Sequence, residues 1–348
     1  MGYLLSILDK SPVNANEHPT QALKDTLALA QKAEQWGYHR FWLAEHHNTQ
    51  EVAISSPEVA IAWIAAHTKH IRVGSGGVML QHYSPYKVAE NFNLLASLAP
   101  GRIDLGVGKA PGGLPLSTRA LQDGIDAQKK GDFPAQLKQL NAWLHPHVDA
   151  TEKDTLFATP LPHQPANGFL LGASEQSAEL AASLGWGFVF AAHLNADAET
   201  IARSLALYHQ QLPGRRAILA VPVIVANTSE EADRLAGDRQ QYRVTADNGQ
   251  KVTVGSIEQA EAYIRQSSAA THKIEERQST IIKGTAEQVH AQLAALQKQY
   301  GVEEFVIDTP LADPQARSTS LELLAAWQLS AHPELSHTIN KRSATATV

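Results

Sequence analysis

The sequence predicts an α/β fold, a single (β/α)8 (TIM) barrel with insertions after its fourth and seventh strands. Three observations carry this reading. Short apolar runs alternate with amphipathic stretches of helical period along the 348-residue chain, giving eight strand–helix units. Three of the runs pass straight from apolar into polar or glycine-rich residues: Phe41-Trp42-Leu43-Ala44-Glu45-His46-His47, Val73-Gly74-Ser75-Gly76-Gly77-Val78 and Gly101-Arg102-Ile103-Asp104-Leu105-Gly106-Val107-Gly108-Lys109. In a barrel of parallel strands, residues just past the strand ends face the active site. Finally, the glycine fingerprint that a doubly wound sheet carries after its first strand is absent.

The elements follow in order. Tyr3–Leu8 is the first strand, and Thr20–Trp36 is a helix with Leu23, Leu27 and Ala30 on one face. Arg40–Ala44 is the second strand; Ser56-Pro57 then supplies an N-cap and a first-turn proline for a helix reaching Ala66. Ile71–Gly74 is the third strand, and Ser84-Pro85 repeats the start signal with Val88, Phe92 and Leu95 inward. Ile103–Val107 is the fourth. The stretch Ala110–Gly168 is too long for a simple connection and predicts helices over Thr118–Lys130 and Pro134–Leu144. Phe169–Gly172 is the fifth strand, and its helix runs from Ser174 to the C′ glycine Gly185. Phe188–Ala192, with a helix at Asp197–Leu212, and Ile218–Ala226, with a helix at Ser229–Ala236, follow. Pro222 counts against the seventh strand, because it cannot donate to a central ladder. A second insertion spans Gly237–Lys283, Thr285 and Gln288 form a capping box for a helix to Tyr300, and Glu304–Asp308 is the eighth strand. A helix near Leu321–Ser330 ends one domain covering 1–335, and a polar tail occupies 336–348.

Composition excludes several classes. Hydrophobic residues make up 43% and charged residues 18%, the balance of a globular chain with a sizeable core. A net charge of −6 gives no reason to expect nucleic acid or an anionic membrane as a partner. With no cysteine, disulfides, thiolate nucleophiles and cysteine-ligated metals are excluded. The first apolar run has no basic region before it and reads as a strand rather than a secretion signal. The expectation is a soluble, cytoplasmic protein.

Four segments can carry chemistry. Adjacent strand residues face opposite ways, so Glu45 and His47 share one side and His46 takes the other. Three consecutive ligands converge poorly, which disfavours a metal. The run is either histidine packing at a strand end or one histidine handling a proton at the barrel mouth. Gly74-Ser75-Gly76-Gly77 either turns the chain or lets a flat ligand approach the backbone. Lys109 is either a solvated loop lysine or a point charge suited to phosphate. The turn Ser174-Glu175-Gln176-Ser177 opens a helix, where capping by Ser174 and anion binding by exposed amides are compatible. Lys109 and this turn together describe a phosphate pocket built from the fourth and fifth strands. Arg102 and Asp104 sit at the opposite strand end and serve stability, while His193 ends the sixth strand and is a weaker lead toward the pocket. The hydrolase elbow, the phosphate-binding P-loop and the His-Glu-x-x-His helix are all missing.

The three opening segments, continued by Gly172–Gly185 and Ile282–Val289, resemble the luciferase-like flavin-dependent monooxygenases over nearly the whole chain. The resemblance implies reduced FMN at the barrel mouth, with His46 as the catalytic histidine. It places a non-proline cis peptide at Gly76-Gly77, beside Ser75, against the flavin ring. It places phosphate contacts on Lys109, an arginine in the luciferases, and on Ser174, Glu175, Gln176 and Ser177. Gly108 stands where the luciferases have a reactive cysteine, which argues against light emission. The implied chemistry is O2 activation as a flavin C4a-peroxide and oxygenation of a small organic substrate, an aldehyde, ketone or similar, with the 237–283 insertion as a lid. A separate NAD(P)H:flavin reductase is implied, since no second nucleotide fingerprint is present. Two other readings stand beside it: a deazaflavin-dependent dehydrogenase and a non-catalytic flavin-binding barrel. The helix Pro57–Ala66 is apolar nearly all round, which predicts a homodimer with Trp63 near its axis.

Overall fold

The computed structural model describes residues 2–146, 154–247, 251–267 and 270–331, so the polar tail at 336–348 lies outside the described residues. The first half runs β1 (Leu4–Asp9), α1 (Pro19–Gln35), β2 (Arg40–Leu43), α2 (Pro57–His67), β3 (Arg72–Met79), α3 (Pro85–Leu98) and β4 (Ile103–Gly108). Then come α4 (Pro115–Leu121), α5 (Ala127–Lys130), α6 (Phe133–Leu144), β5 (Asn167–Gly172), α7 (Glu175–Ser183), β6 (Gly187–Ala191), α8 (Ala198–Gln211) and β7 (Ile218–Val225). The remainder is α9 (Ser229–Ala236), β8 (Gln240–Ala246), β9 (Lys251–Val254), α10 (Ile257–Gln266) and β10 (His272–Gln278). It closes with β11 (Ile282–Gly284), α11 (Ala286–Tyr300), β12 (Glu304–Asp308) and α12 (Pro314–Ala331).

Eight parallel strands close a barrel in the order β1-β2-β3-β4-β5-β6-β7-β12, with β12 returning to β1. The main hydrophobic core lies between the strands and the outer helices. Inside the barrel a separate layer stacks Leu8, Trp42, Phe169, Val189, Ile218, Ala220 and Val306. Below that layer the barrel is plugged by charge. Arg40 donates to both oxygens of Glu304, at 2.7 and 3.0 Å, and to Asp104 at 2.9 Å. Asp104, fully buried, also accepts from Arg72 and from the Trp42 indole. Burial opposes the ionisation of Asp104, yet Arg40 and Arg72 hold its carboxyl below the usual range. Arg102, on the same end, donates to Thr68 and Ile71 carbonyls and ties down the end of α2.

Three expectations change. The glycine run does not end the third strand, because β3 continues to Met79 with its register against β4 shifting between Ser75 and Val78. A Cβ at Gly74 would stand 2.4 Å from the Asp104 carbonyl oxygen, so glycine lets β3 and β4 approach closely just before that irregularity. The predicted helix Thr118–Lys130 is two, α4 and α5, separated at Gly124, whose φ of 73° is left-handed. The final helix starts earlier, at Pro314. Pro222, by contrast, sits inside β7: on one side β6 pairs with Ile218–Ala220 and β11 with Val223–Val225, leaving the proline between those two ladders, and on the other it stays in register with Asp308 of β12. The capping box at Thr285 and Gln288 and the left-handed Gly185 are as expected.

Replacing Asp104 by Asn removes the anion shared by the buried Arg40 and the half-buried Arg72. Asp104→Asn should lower the stability of the fold by about 3–5 kcal/mol, the usual cost of leaving buried charge unpaired. Urea unfolding monitored by circular dichroism checks this; a loss under about 1 kcal/mol would mean the plug contributes little.

Candidate active site

The C-terminal ends of the strands bring the segments of interest together. Past β2, Glu45 is buried and accepts three hydrogen bonds: from the Tyr83 hydroxyl at 2.8 Å, the Met79 amide at 3.1 Å, and His47, whose Nε2 lies 2.7 Å away. Glu45 and His47 therefore do share one side, and together they lock the loops after β2 and β3. His82 completes this set, with its Nε2 2.7 Å from the Pro111 carbonyl and its Nδ1 3.0 Å from Gln122. His46 points away from it, and its buried Nδ1 has no hydrogen-bond partner.

His193, two residues past β6, is in the same condition, with a buried and unpartnered Nδ1. Lys10 and Asp308, past β1 and at the end of β12, pair at 2.7 Å. Burial opposes the charge on Asp308, but Lys10 and the two histidines hold its carboxyl below the usual range. Burial, with Lys10 nearby, pushes both His46 and His193 down to about 4. Both imidazoles are neutral at pH 7.

The remaining expected residues fall as follows. The Gly76-Gly77 bond is cis, as the resemblance implies, and lies within the barrel wall. A Cβ on Gly76 would stand 2.6 Å from Leu8 Cδ1, and one on Gly77 2.8 Å from the Gly106 carbonyl oxygen. Ser75 is fully buried, and its hydroxyl bonds the Gly106 carbonyl and amide across to β4. Gly108 pairs with Leu171, so Lys109 and the turn opening α7 emerge side by side. Lys109 is exposed. Ser174 caps α7 by accepting from the Ser177 amide, and its hydroxyl lies 3.2 Å from that of Ser177. Gln176 is exposed, and the Glu175 carboxylate turns outward to Arg203 at 2.8 Å, leaving its amide as its contribution to the turn. Ser11 and Thr309, not singled out from sequence, also stand past strand ends with unpartnered hydroxyls. Their position relative to the strands was the available signal.

The insertion between α9 and β11 is ordered over its described residues. β8, β9 and β10 form an antiparallel sheet, and Val244, Ala260 and Tyr263 give it a small core against which Leu114 packs. It touches three mouth loops: Gln241 reaches the His193 carbonyl, Gln259 the Glu51 carboxylate, and Gln266 the Leu116 amide and Arg119. It thus lies across the top of the barrel. A cavity of about 210 Å³ lies outside the barrel between α1 and α12 and takes no part in the mouth. Among the described residues there is no cluster of three metal-ligating side chains and no helix long and apolar enough to cross a membrane.

A (β/α)8 barrel with buried imidazoles at a covered C-terminal mouth has the architecture of a barrel enzyme, whose active site lies at that end. The family is more specific: the chain belongs to the luciferase-like monooxygenases, whose family model matches residues 2–304. It is 44% identical over 331 residues to the N-acetyl-S-alkylcysteine monooxygenase of Bacillus subtilis, covering 94% of this chain and 98% of that one. The crystal structure of apo-MsnO8 is 32% identical with a TM-score of 0.72, covering 93% of this chain and 97% of that one. The oxygenating constituent of 3,6-diketocamphane monooxygenase from Pseudomonas putida, solved with FMN, shares the fold at 17% identity and a TM-score of 0.66, covering 93% and 97%.

The neutral histidines make stability pH-dependent. An imidazole in the unfolded chain titrates near 6.5, so on acidification the unfolded state takes up protons first. Stability contributed by His46 and His193 is present above that pH and is lost as pH falls toward about 4. Thermal melting should therefore fall between pH 6.5 and 4.5. His46→Gln combined with His193→Gln should flatten the slope by up to about 1.4 kcal/mol per pH unit for each histidine. Parallel curves for the two proteins would show that the imidazoles are not held neutral.

Proposed function

We propose that this chain is an FMN-dependent monooxygenase that uses reduced FMN and O2 to oxygenate a small organic substrate. The observation that carries the reading is His46: alone in its Glu-His-His run, its ring stands unpartnered at the barrel mouth. The residues fit the cofactor. Gly76 packs its backbone against Leu8 and Trp42 and Gly77 against Gly106 of β4, so the wall carries no side chain at either position that would keep a flat ring from the backbone. Lys109 and the start of α7, adjacent through the pairing of Gly108 with Leu171, supply a cation and free amides for a terminal phosphate. FMN, when bound and reduced, supplies the electrons that activate O2.

The chain's own residues do the rest. His46, uncharged at neutral pH, accepts a proton at a ring nitrogen and returns it as oxygen is transferred. The sheet β8–β10 and α10, lying over three mouth loops, exclude water from that exchange. A separate NAD(P)H:flavin reductase delivers the reduced cofactor. The 44%-identical relative supports a thioether sulfur as the oxygen acceptor, with an aldehyde or ketone carbonyl as the other substrate to try.

Oxygen uptake with photoreduced FMN, and mass analysis of an S-alkyl-N-acetylcysteine incubated under 18O2, test this directly. Uptake with one labelled oxygen in the product is expected, and His46→Ala should abolish the labelled product while leaving FMN affinity within a few-fold. Hydride transfer without oxygen uptake would instead identify a deazaflavin-type dehydrogenase. Lys109→Ala should weaken FMN by about 1.5 kcal/mol, the lower end for a charge-assisted bond because the lysine is exposed, and leave riboflavin unchanged. Equal weakening of both flavins would remove Lys109 from the phosphate.

The chain pairs as a homodimer in the same reading. α2 buries Ile61 and Ile64 against the barrel, but its outer face and that of α3 expose Val59 (68%), Trp63 (37%), Leu94 (50%) and Leu98 (67%). An apolar patch of this kind on two neighbouring outer helices suits a two-fold contact. Sedimentation should show a dimer at micromolar concentration, and Trp63→Glu with Leu98→Glu should yield a monomer. A monomeric wild type would refute the pairing.

A further inference from the structure

Four of the buried polar atoms that lack a hydrogen-bond partner stand past strand ends at the mouth, while the others lie on α3, α6, α8, β10 and α12. Ser11 Oγ, His46 Nδ1, His193 Nδ1 and Thr309 Oγ1 all lack a hydrogen-bond partner. They stand one to three residues beyond the ends of β1, β2, β6 and β12. In the closed strand order β12, β1 and β2 are successive, while β6 faces β2 from the opposite wall. His47 and His82, at the same end of the barrel, are by contrast hydrogen-bonded to Glu45, Pro111 and Gln122. Buried polar groups are almost always paired, so an unpaired group calls for a reason, and four from four strands at one end call for a common one.

Charge narrows the class of ligand. Lys10 and Asp308, next to Ser11 and Thr309 in the chain, already neutralise each other at 2.7 Å. The wall that remains offers hydroxyls and an uncharged imidazole, which suit a neutral amide better than a carboxylate seeking a free cation. His193 is also fixed from above, where Gln241 of the β8 strand reaches its carbonyl oxygen.

Resting on the thioether reading above, we propose that Ser11, His193 and Thr309 form a subsite for an uncharged amide of the substrate, the acylamino group of an N-acyl-S-alkylcysteine. His193 holds the amide from the wall opposite His46, and Ser11 and Thr309 hold it from the ends of β1 and β12, so that the sulfur a few bonds away is presented toward the flavin side of the mouth. His193 is thereby a substrate-positioning residue.

Isothermal titration of the FMN-loaded protein with N-acetyl-S-benzylcysteinamide and with benzyl ethyl sulfide, which lacks the amide, tests the subsite. The amide compound should bind about tenfold more tightly or better, the size of a hydrogen-bond contribution in a shielded site. His193→Ala and Thr309→Val should each bring the ratio toward one, and His193→Gln, which keeps an N–H donor, should retain most of it. Equal affinities in the wild type, no binding of either compound, or a ratio that none of the variants moves would overturn the proposal. FMN affinity is followed in the same samples by flavin fluorescence. Its loss in the wild type would overturn the flavin reading instead, and the titration repeated without FMN would still report on the subsite.

Discussion

Arg40 is the pin on which the barrel turns. Its guanidinium joins Glu304 on β12 to Asp104 on β4, and Ser6 of β1 donates to the same Glu304 at 2.6 Å. Four strands, β1, β2, β4 and β12, are thereby tied from inside, and the Arg40 side chain lies 4.8 Å above the Phe169 ring of β5. Such a cluster is expensive to bury and specific once formed, because each partner is needed to offset the desolvation of the others. It leaves one end of the barrel permanently closed. The apolar layer of Trp42, Phe169 and Val306 sits directly on it.

From that fixed base the strands carry residues upward at roughly 3.3 Å per position, so the register at the plug sets the height of the mouth. Arg40 and His46 lie on one short stretch of chain, and a slip of one residue at Arg40 would turn Glu45 and His46 to each other's faces. Glu45 is then locked to Tyr83, Met79 and His47, which leaves His46 to face the opening. The division between the two histidines of one run is thus set by hydrogen bonds from β3 and its following loop.

The mouth is polar but nearly charge-balanced, and it is covered. Lys10 and Asp308 cancel, the two inner imidazoles are neutral, and the antiparallel sheet of the second insertion bridges loops after β2, β4 and β6. A site shielded in this way strengthens whatever hydrogen bonds a ligand makes and keeps bulk water from the reacting atoms. The family accounts for the oxygenase chemistry, and the subsite proposed around His193 concerns which substrate is held.

The barrel was legible from local pattern alone. Period and alternation located the eight strands, and cap signals such as Thr285 with Gln288 placed helix starts, because these are local properties of the chain. The sequence also marked His46, His193, Lys109 and the Ser174 turn as lying just past strand ends. What it did not show is how β3 continues through its glycines, since that depends on the close approach of Asp104 and Gly106 from the neighbouring strand. Nor did it show that Pro222 falls where β7 exchanges β6 for β11 as its neighbour, or that Ser11, His193 and Thr309 keep unpartnered polar atoms past their strand ends. Those facts rest on contacts between residues up to about three hundred positions apart. Only closing the sheet on itself brings such residues together, and only then is it decided which polar atoms find partners and which are left for a ligand.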